Sequence, residues 1–105
     1  MTQSDDQDGS FEAKFAPDEE MMFRILARRN MLLGEWAARL MGLSEAEAEA
    51  YSKDLVRADF EGGGGKDVVL KLLGDLTGAG VDIDEVRIRD AIKNKMVEAR
   101  RQLIG

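Results

Sequence analysis

At 105 residues the chain has room for one domain and one core, since folding at this size buries only about 60–65% of the surface of the unfolded chain. Neither Cys nor His occurs, which excludes disulfides, Cys/His zinc sites, thiol nucleophiles and imidazole bases. That removes most common catalytic schemes and points to a protein that is not an enzyme, with no cofactor and no metal site.

The net charge of −6 comes wholly from residues 1–20, which hold seven acidic side chains against Lys14 alone, while residues 21–105 balance at 14 acidic and 14 basic. An acidic chain is a poor partner for nucleic acid, whose affinity rests on phosphate neutralisation. With 44% hydrophobic and 34% charged residues the composition is globular, and a single Pro leaves long helices possible nearly everywhere. The leading MTQSDDQDGS has no basic or apolar targeting pattern, and no apolar run is long enough to span a bilayer. The expectation is a cytoplasmic protein without membrane insertion.

Residues 1–10 contain no large apolar side chain after Met1 and cannot offset the entropy of ordering, so a disordered acidic arm is expected over residues 1–17. Phe11 and Phe15, four residues apart, fall on one face of any helix formed there, with Glu12 and Lys14 between them as polar contacts. This face reads equally as a staple onto the body or as an anchor for a partner.

Pro17 and Asp18, followed by Glu19 and Glu20, look like a helix start, and the first helix is expected from about 18 to 42. Met22, Leu26, Leu33, Trp36, Ala37 and Leu40 mark its apolar side, with Gly42 as the stop. Ser44-Glu45-Ala46-Glu47 has the form of a capping box, so a second helix starts there and ends near Phe60 with Ala48, Tyr51, Leu55 and Ala58 inward. Gly62 to Gly65 read as a loop. Val69, Leu72, Leu73 and Leu76 mark a third helix from about 66 to 77, ended by Gly78 and Gly80. The fourth starts near Asp82 or Asp84, with Ile88, Ile92, Met96, Ala99 and Leu103 inward and a basic outer side. No segment alternates as a strand would, and the fold class is all-α: a four-helix bundle over residues 18–105 behind the arm.

Gly62-Gly63-Gly64-Gly65-Lys66 invites a phosphate-binding reading but lacks the detail of a P-loop. Phe60 stands where its first Gly belongs, Asp67 where Ser or Thr would hold magnesium, and a helix precedes it where a strand should. The carboxylates Asp5/Asp6 and Glu45/Glu47/Glu49 read as solvated groups. Arg24, Arg28 and Arg29 read as a basic, solvated ridge that, like the fourth helix, could hold the acidic arm.

The strings Phe11-Glu12-Ala13-Lys14-Phe15-Ala16, Asp18-Glu19-Glu20 and Ala27-Arg28-Arg29-Asn30-x-Leu32-Leu33-Gly34-x-Trp36-Ala37-Ala38 resemble the zeta-type ATPase inhibitor subunit of alphaproteobacteria. Met41-Gly42-Leu43-Ser44, Tyr51, Val56-x-Ala58-Asp59-Phe60, Asp67-Val68, Gly74-Asp75-Leu76 and Ile83-Asp84-Glu85 fit it too, so the resemblance covers about residues 11–100. It implies a four-helix bundle whose arm enters the catalytic head of the F-type ATP synthase and blocks ATP hydrolysis. The partners would be the catalytic α/β subunits and the central shaft, and the contacts Phe11, Glu12, Lys14 and Phe15. The protein would be a monomer when free and peripheral to the inner membrane when bound. Ahead of Phe11 the family's arm commonly reads close to Phe-Asp-x-Arg-Glu-x-Ala, whereas here stands Ser4-Asp5-Asp6-Gln7-Asp8-Gly9-Ser10, without the aromatic and the arginine. The alternatives are a member that has lost inhibition and binds a nucleotide or other small anion, and phosphate chemistry at Gly62–Lys66.

Overall fold

The computed structural model describes residues 9–62 and 65–105, with side chains from 18 to 62 and from 67 to 105. Over these residues four helices follow one another: α1 Gly9–Met41, α2 Glu45–Gly62, α3 Gly65–Gly78 and α4 Glu85–Ile104. Among the described residues there is no strand, as the absence of alternating β-branched segments requires. Residues 1–8 of the expected disordered arm lie outside the described residues.

α1 begins nine residues ahead of the expected start at Asp18 and passes through Pro17. The reading of Pro17 as a boundary rested on its missing amide and its bias against helix in the preceding residue. Against that stand Glu12, Ala13, Lys14 and Ala16, all good helix formers, which carry the backbone on to Gly9.

The other boundaries follow their local chemistry. Gly42 takes φ 73°, and the Leu43 amide donates to the Ala38 carbonyl at 3.0 Å while that of Gly42 donates to Arg39 at 3.1 Å, which closes α1 in a Schellman turn. Ser44 and Glu47 form the expected capping box: the Ser44 amide donates to Glu47 Oε1 at 2.8 Å and the Glu47 amide to Ser44 Oγ at 3.2 Å. α3 ends in the same way as α1, with Gly80 at φ 83° and the Val81 amide donating to the Leu76 carbonyl at 2.9 Å. Of the two aspartates offered for the start of α4 it is Asp84 that caps, its carboxylate accepting from the Arg87 amide at 2.9 Å.

α1 is the central element and packs against each of the other three helices. Leu33, Leu55, Val68, Leu72, Leu76 and Ile88 are fully buried and form one core with Ala37, Val69 and Ala91. Trp36 and Tyr51 lie at its edge, half-buried. Two expected inward residues are exposed, Met22 at 42% and Leu40 at 41%. Their places in the core are taken by Ile25, one helical turn further along α1, and by Met41. α1 and α2 approach closely at Gly34, where an added Cβ would stand 2.6 Å from Ser52 Cα and 2.6 Å from its Oγ. A glycine is required there because there is no space for a side chain. Ser52 in turn is wholly buried, its hydroxyl donating to the Ala48 carbonyl at 2.9 Å.

Candidate partner-binding site

Phe11, Glu12, Lys14 and Phe15 belong by backbone to the first turns of α1, and their side chains lie outside the described residues. What the structure does describe is how the rest of α1 is fixed in the bundle. Arg29, Asn30 and Asp59 form a buried polar cluster between α1 and α2. The Arg29 guanidinium donates to Asn30 Oδ1 from Nε at 3.1 Å and from Nη2 at 3.0 Å, and Nη2 also lies 3.3 Å from Asp59 Oδ2. The Asn30 amide donates to the same Asp59 oxygen at 2.8 Å, so Asn30 joins the two charges by using both ends of its side chain. Burial pushes the guanidinium below its ordinary value and Asp59 opposes that shift.

The cluster corrects the sequence reading of Arg29 as part of a solvated ridge: only 7% of it is exposed, and its partner lies on another helix. Arg24 and Arg28 are exposed as expected, with Arg24 paired to Glu20 at 3.4 Å one turn earlier. A signal for the burial of Arg29 was present, because it stands four residues after Ile25 and four before Leu33, on the core face. Asp59 likewise follows Leu55 by four.

Beside this cluster the rings of Phe23 and Phe60 stack with centroids 4.3 Å apart and planes at 14°. Both are exposed, Phe23 at 55% and Phe60 at 38%, and with Met22 they leave an apolar, aromatic surface at the end of the bundle from which residues 9–17 lead away. Sequence reasoning ended α2 at Phe60 without giving the ring a neighbour, since stacking partners 37 positions apart leave no local pattern.

On the far side of α2 the Tyr51 hydroxyl donates to Asp75 Oδ2 at 2.7 Å, and Lys71 Nζ reaches the same oxygen at 3.1 Å while standing 5.2 Å from the Tyr51 ring centre. Burial, and then the neighbouring carboxylate, pushes the phenol well above its usual range. This trio ties α3 to α2.

α2 includes Gly62 and α3 begins at Gly65, so these two glycines of the expected loop are helical instead, while Gly63, Gly64 and the Lys66 side chain lie outside the described residues; the helix expected ahead of Lys66 is present. Among the described residues no three potential metal ligands cluster, and no helix is long and apolar enough to cross a membrane.

The sequence pattern of the family described as ATPase inhibitor subunit zeta matches residues 1–102. Among curated proteins none matches the chain. A relative solved in solution by NMR is 43% identical, with a TM-score of 0.70, over 80% of this chain and 95% of its own. A match across nearly the whole length, leading segment and bundle alike, establishes that the chain belongs to the ATPase inhibitor subunit zeta family.

Proposed function

We propose that the chain is a regulatory subunit that binds the catalytic head of the F-type ATP synthase and inhibits ATP hydrolysis through residues 1–17, with residues 18–105 as a bundle that stays outside. In this reading the leading segment enters a catalytic α/β interface beside the central shaft, Phe11 and Phe15 are the apolar anchors, and Glu12 and Lys14 make polar contacts. The observation that carries it is membership of an ATPase inhibitor family whose match includes the leading segment.

The shape of the molecule is consistent with such a plug. A lone helix with its side chains is about 10–12 Å across, whereas the molecule measures 58 × 24 × 22 Å. An opening that accepts the leading part of α1 stops the bundle. The protein acts as a monomer in the cytoplasm, peripheral to the inner membrane when bound, without nucleic acid and without catalysis of its own.

The test is ATP hydrolysis by the isolated cognate ATPase, titrated with the full chain and with a version that lacks residues 1–16. Inhibition by the first and none by the second supports the proposal. A folded full chain that is inert at tens of micromolar points instead to a member that has lost inhibition.

A further inference from the structure

We propose that the groove between α1 and the end of α4 is the resting seat of the acidic leading segment, so that the free protein holds back its own inhibitory arm; this rests on the function proposed above. The floor of the groove is apolar and adaptable, formed by Ala27, Met31 and Leu32 of α1 with Leu103 of α4, and Arg24, Arg28 and Glu35 stand around it. Arg100 lies three residues before Leu103 on α4, with Arg101 next to it. Among the described residues Arg28, Arg100 and Arg101 make no ion pair, while Arg24 has Glu20 and the nearby Glu98 is taken by Lys95.

The surface is therefore a strip of methionine and aliphatic carbon lined by the guanidinium groups of Arg24 and Arg28, against Glu35 as the one carboxylate of its lining. The occupant it fits is acidic and carries spaced apolar side chains. Residues 1–16 meet that description, with Asp5, Asp6 and Asp8 followed by Phe11 and Phe15. They are also tethered to it. From Pro17 to Arg28 along α1 is about 16 Å at 1.5 Å per residue, and sixteen residues cover that distance whether helical or extended.

Seating requires the chain to reverse where α1 passes through Pro17. That is the weakest point of the helix, because proline cannot donate to the Ala13 carbonyl and disfavours helix in Ala16. The extended α1 is then the form that engages the ATPase, and the seated form lowers apparent affinity by the fraction of molecules it occupies.

The chain has no cysteine, so Ser4→Cys gives a single attachment point for a nitroxide. The measurement is paramagnetic broadening of amide signals at residues 28–32 and 100–104 in the free, full-length protein. At about 0.02 M salt these residues should broaden, and at about 0.5 M, where exposed charges are screened within a few ångströms, the effect should fade. Arg28→Glu with Arg100→Glu, both exposed and outside the core, should abolish it without shifting the melting temperature. If that pair fails to fold, the salt series on the unmutated background decides alone. Broadening confined to residues before 24 at low salt overturns the proposal, as does broadening that grows with protein concentration, which would mean docking onto a second copy. No ATPase is present in this experiment, so its result is separate from the fate of the inhibitor reading. In the ATPase assay at low salt the charge-reversed protein should inhibit about three- to tenfold more tightly. An unchanged potency overturns the holding role.

Discussion

Arg29 and Asp59, thirty positions apart, meet out of solvent with Nη2 and Oδ2 3.3 Å apart, and Asn30 fastens the pair from the side. An ion pair in such a place is costly to form and more costly to break singly. Asp59→Ala should lower stability by about 3–5 kcal/mol, because it leaves a guanidinium buried with only an amide to receive it. Replacing both charges, as Arg29→Met with Asp59→Leu, should cost much less than the sum of the single changes. Urea denaturation of the three variants measures this coupling, and additive losses would mean that the pair acts independently.

Two glycines in helices should respond oppositely to alanine. At Gly34 the new methyl would fall 2.6 Å from the backbone of Ser52, so Gly34→Ala should force α1 and α2 apart and destabilise by about 1–3 kcal/mol. At exposed Gly74 nothing lies within 4 Å of the added carbon, and Gly74→Ala should stabilise by about 0.4–1 kcal/mol through helix propensity and a less free unfolded chain. Thermal unfolding of both variants gives the two signs directly.

Ser44→Ala should lower stability by about 0.5–2 kcal/mol by removing the hydroxyl that accepts the Glu47 amide. The hydrogen bonds from Ser44 hold the Glu47 carboxyl below its ordinary value. A carboxyl depressed in the folded state favours folding above its unfolded pKa, and that contribution is lost as pH falls through the folded one. Stability should therefore decline in the acid range, with a smaller decline in Glu47→Gln, as a denaturation series from neutral to acid pH would reveal.

Tyr51 predicts the opposite end of the pH scale. Its phenol is raised in the folded state, so it favours folding below the unfolded value near 10 and that contribution is lost as pH climbs beyond it. Tyr51→Phe should lose about 0.5–1.5 kcal/mol at neutral pH with its hydrogen bond to Asp75 and should show a shallower alkaline decline. Ultraviolet titration should find the single tyrosine of the intact protein ionising only as the fold is lost.

For the proposed activity, Phe11→Ala or Phe15→Ala should weaken inhibition by about tenfold or more, the equivalent of roughly 1.5–3 kcal/mol for a ring that the interface encloses. Gly9→Ala with Ser10→Ala should strengthen it several-fold, up to about tenfold, if the bound helix extends ahead of Gly9, since both are poor helix formers. The hydrolysis assay with the isolated ATPase reads all three.

What the sequence made legible was whatever lies within a turn of the residue that causes it. Ser44 with Glu47, Gly42, Gly80 and Asp84 each announce a boundary by chemistry that reaches three or four positions, and the structure has each boundary there. The apolar spacing of α3 and α4 located their core faces for the same reason. Arg29 with Asp59 and Phe23 with Phe60 were not legible as pairs, because their meeting depends on how two helices cross. A charged residue on an apolar phase was the available sign, and it was read as surface. The start of α1 was displaced by weighting one proline over the helix formers around it. Phe11, Glu12, Lys14 and Phe15 came from the spacing of two rings and a family resemblance, and their contacts depend on a surface the chain itself does not contain.

One helix carries both the leading residues and the core positions Ile25 and Leu33, and that gives α1 the character of a geared shaft. While α1 runs unbroken through Pro17, the bearing of residues 9–17 around the axis is set by that of the bundle at about 100° per residue. A single residue added or removed between 18 and 24 would turn the whole leading segment by about 100° and shift it by only about 1.5 Å. Seven added residues would nearly restore the bearing while advancing the segment by about 10 Å. Length changes in this stretch thus divide into those that change which way the segment faces and those that change how far it reaches.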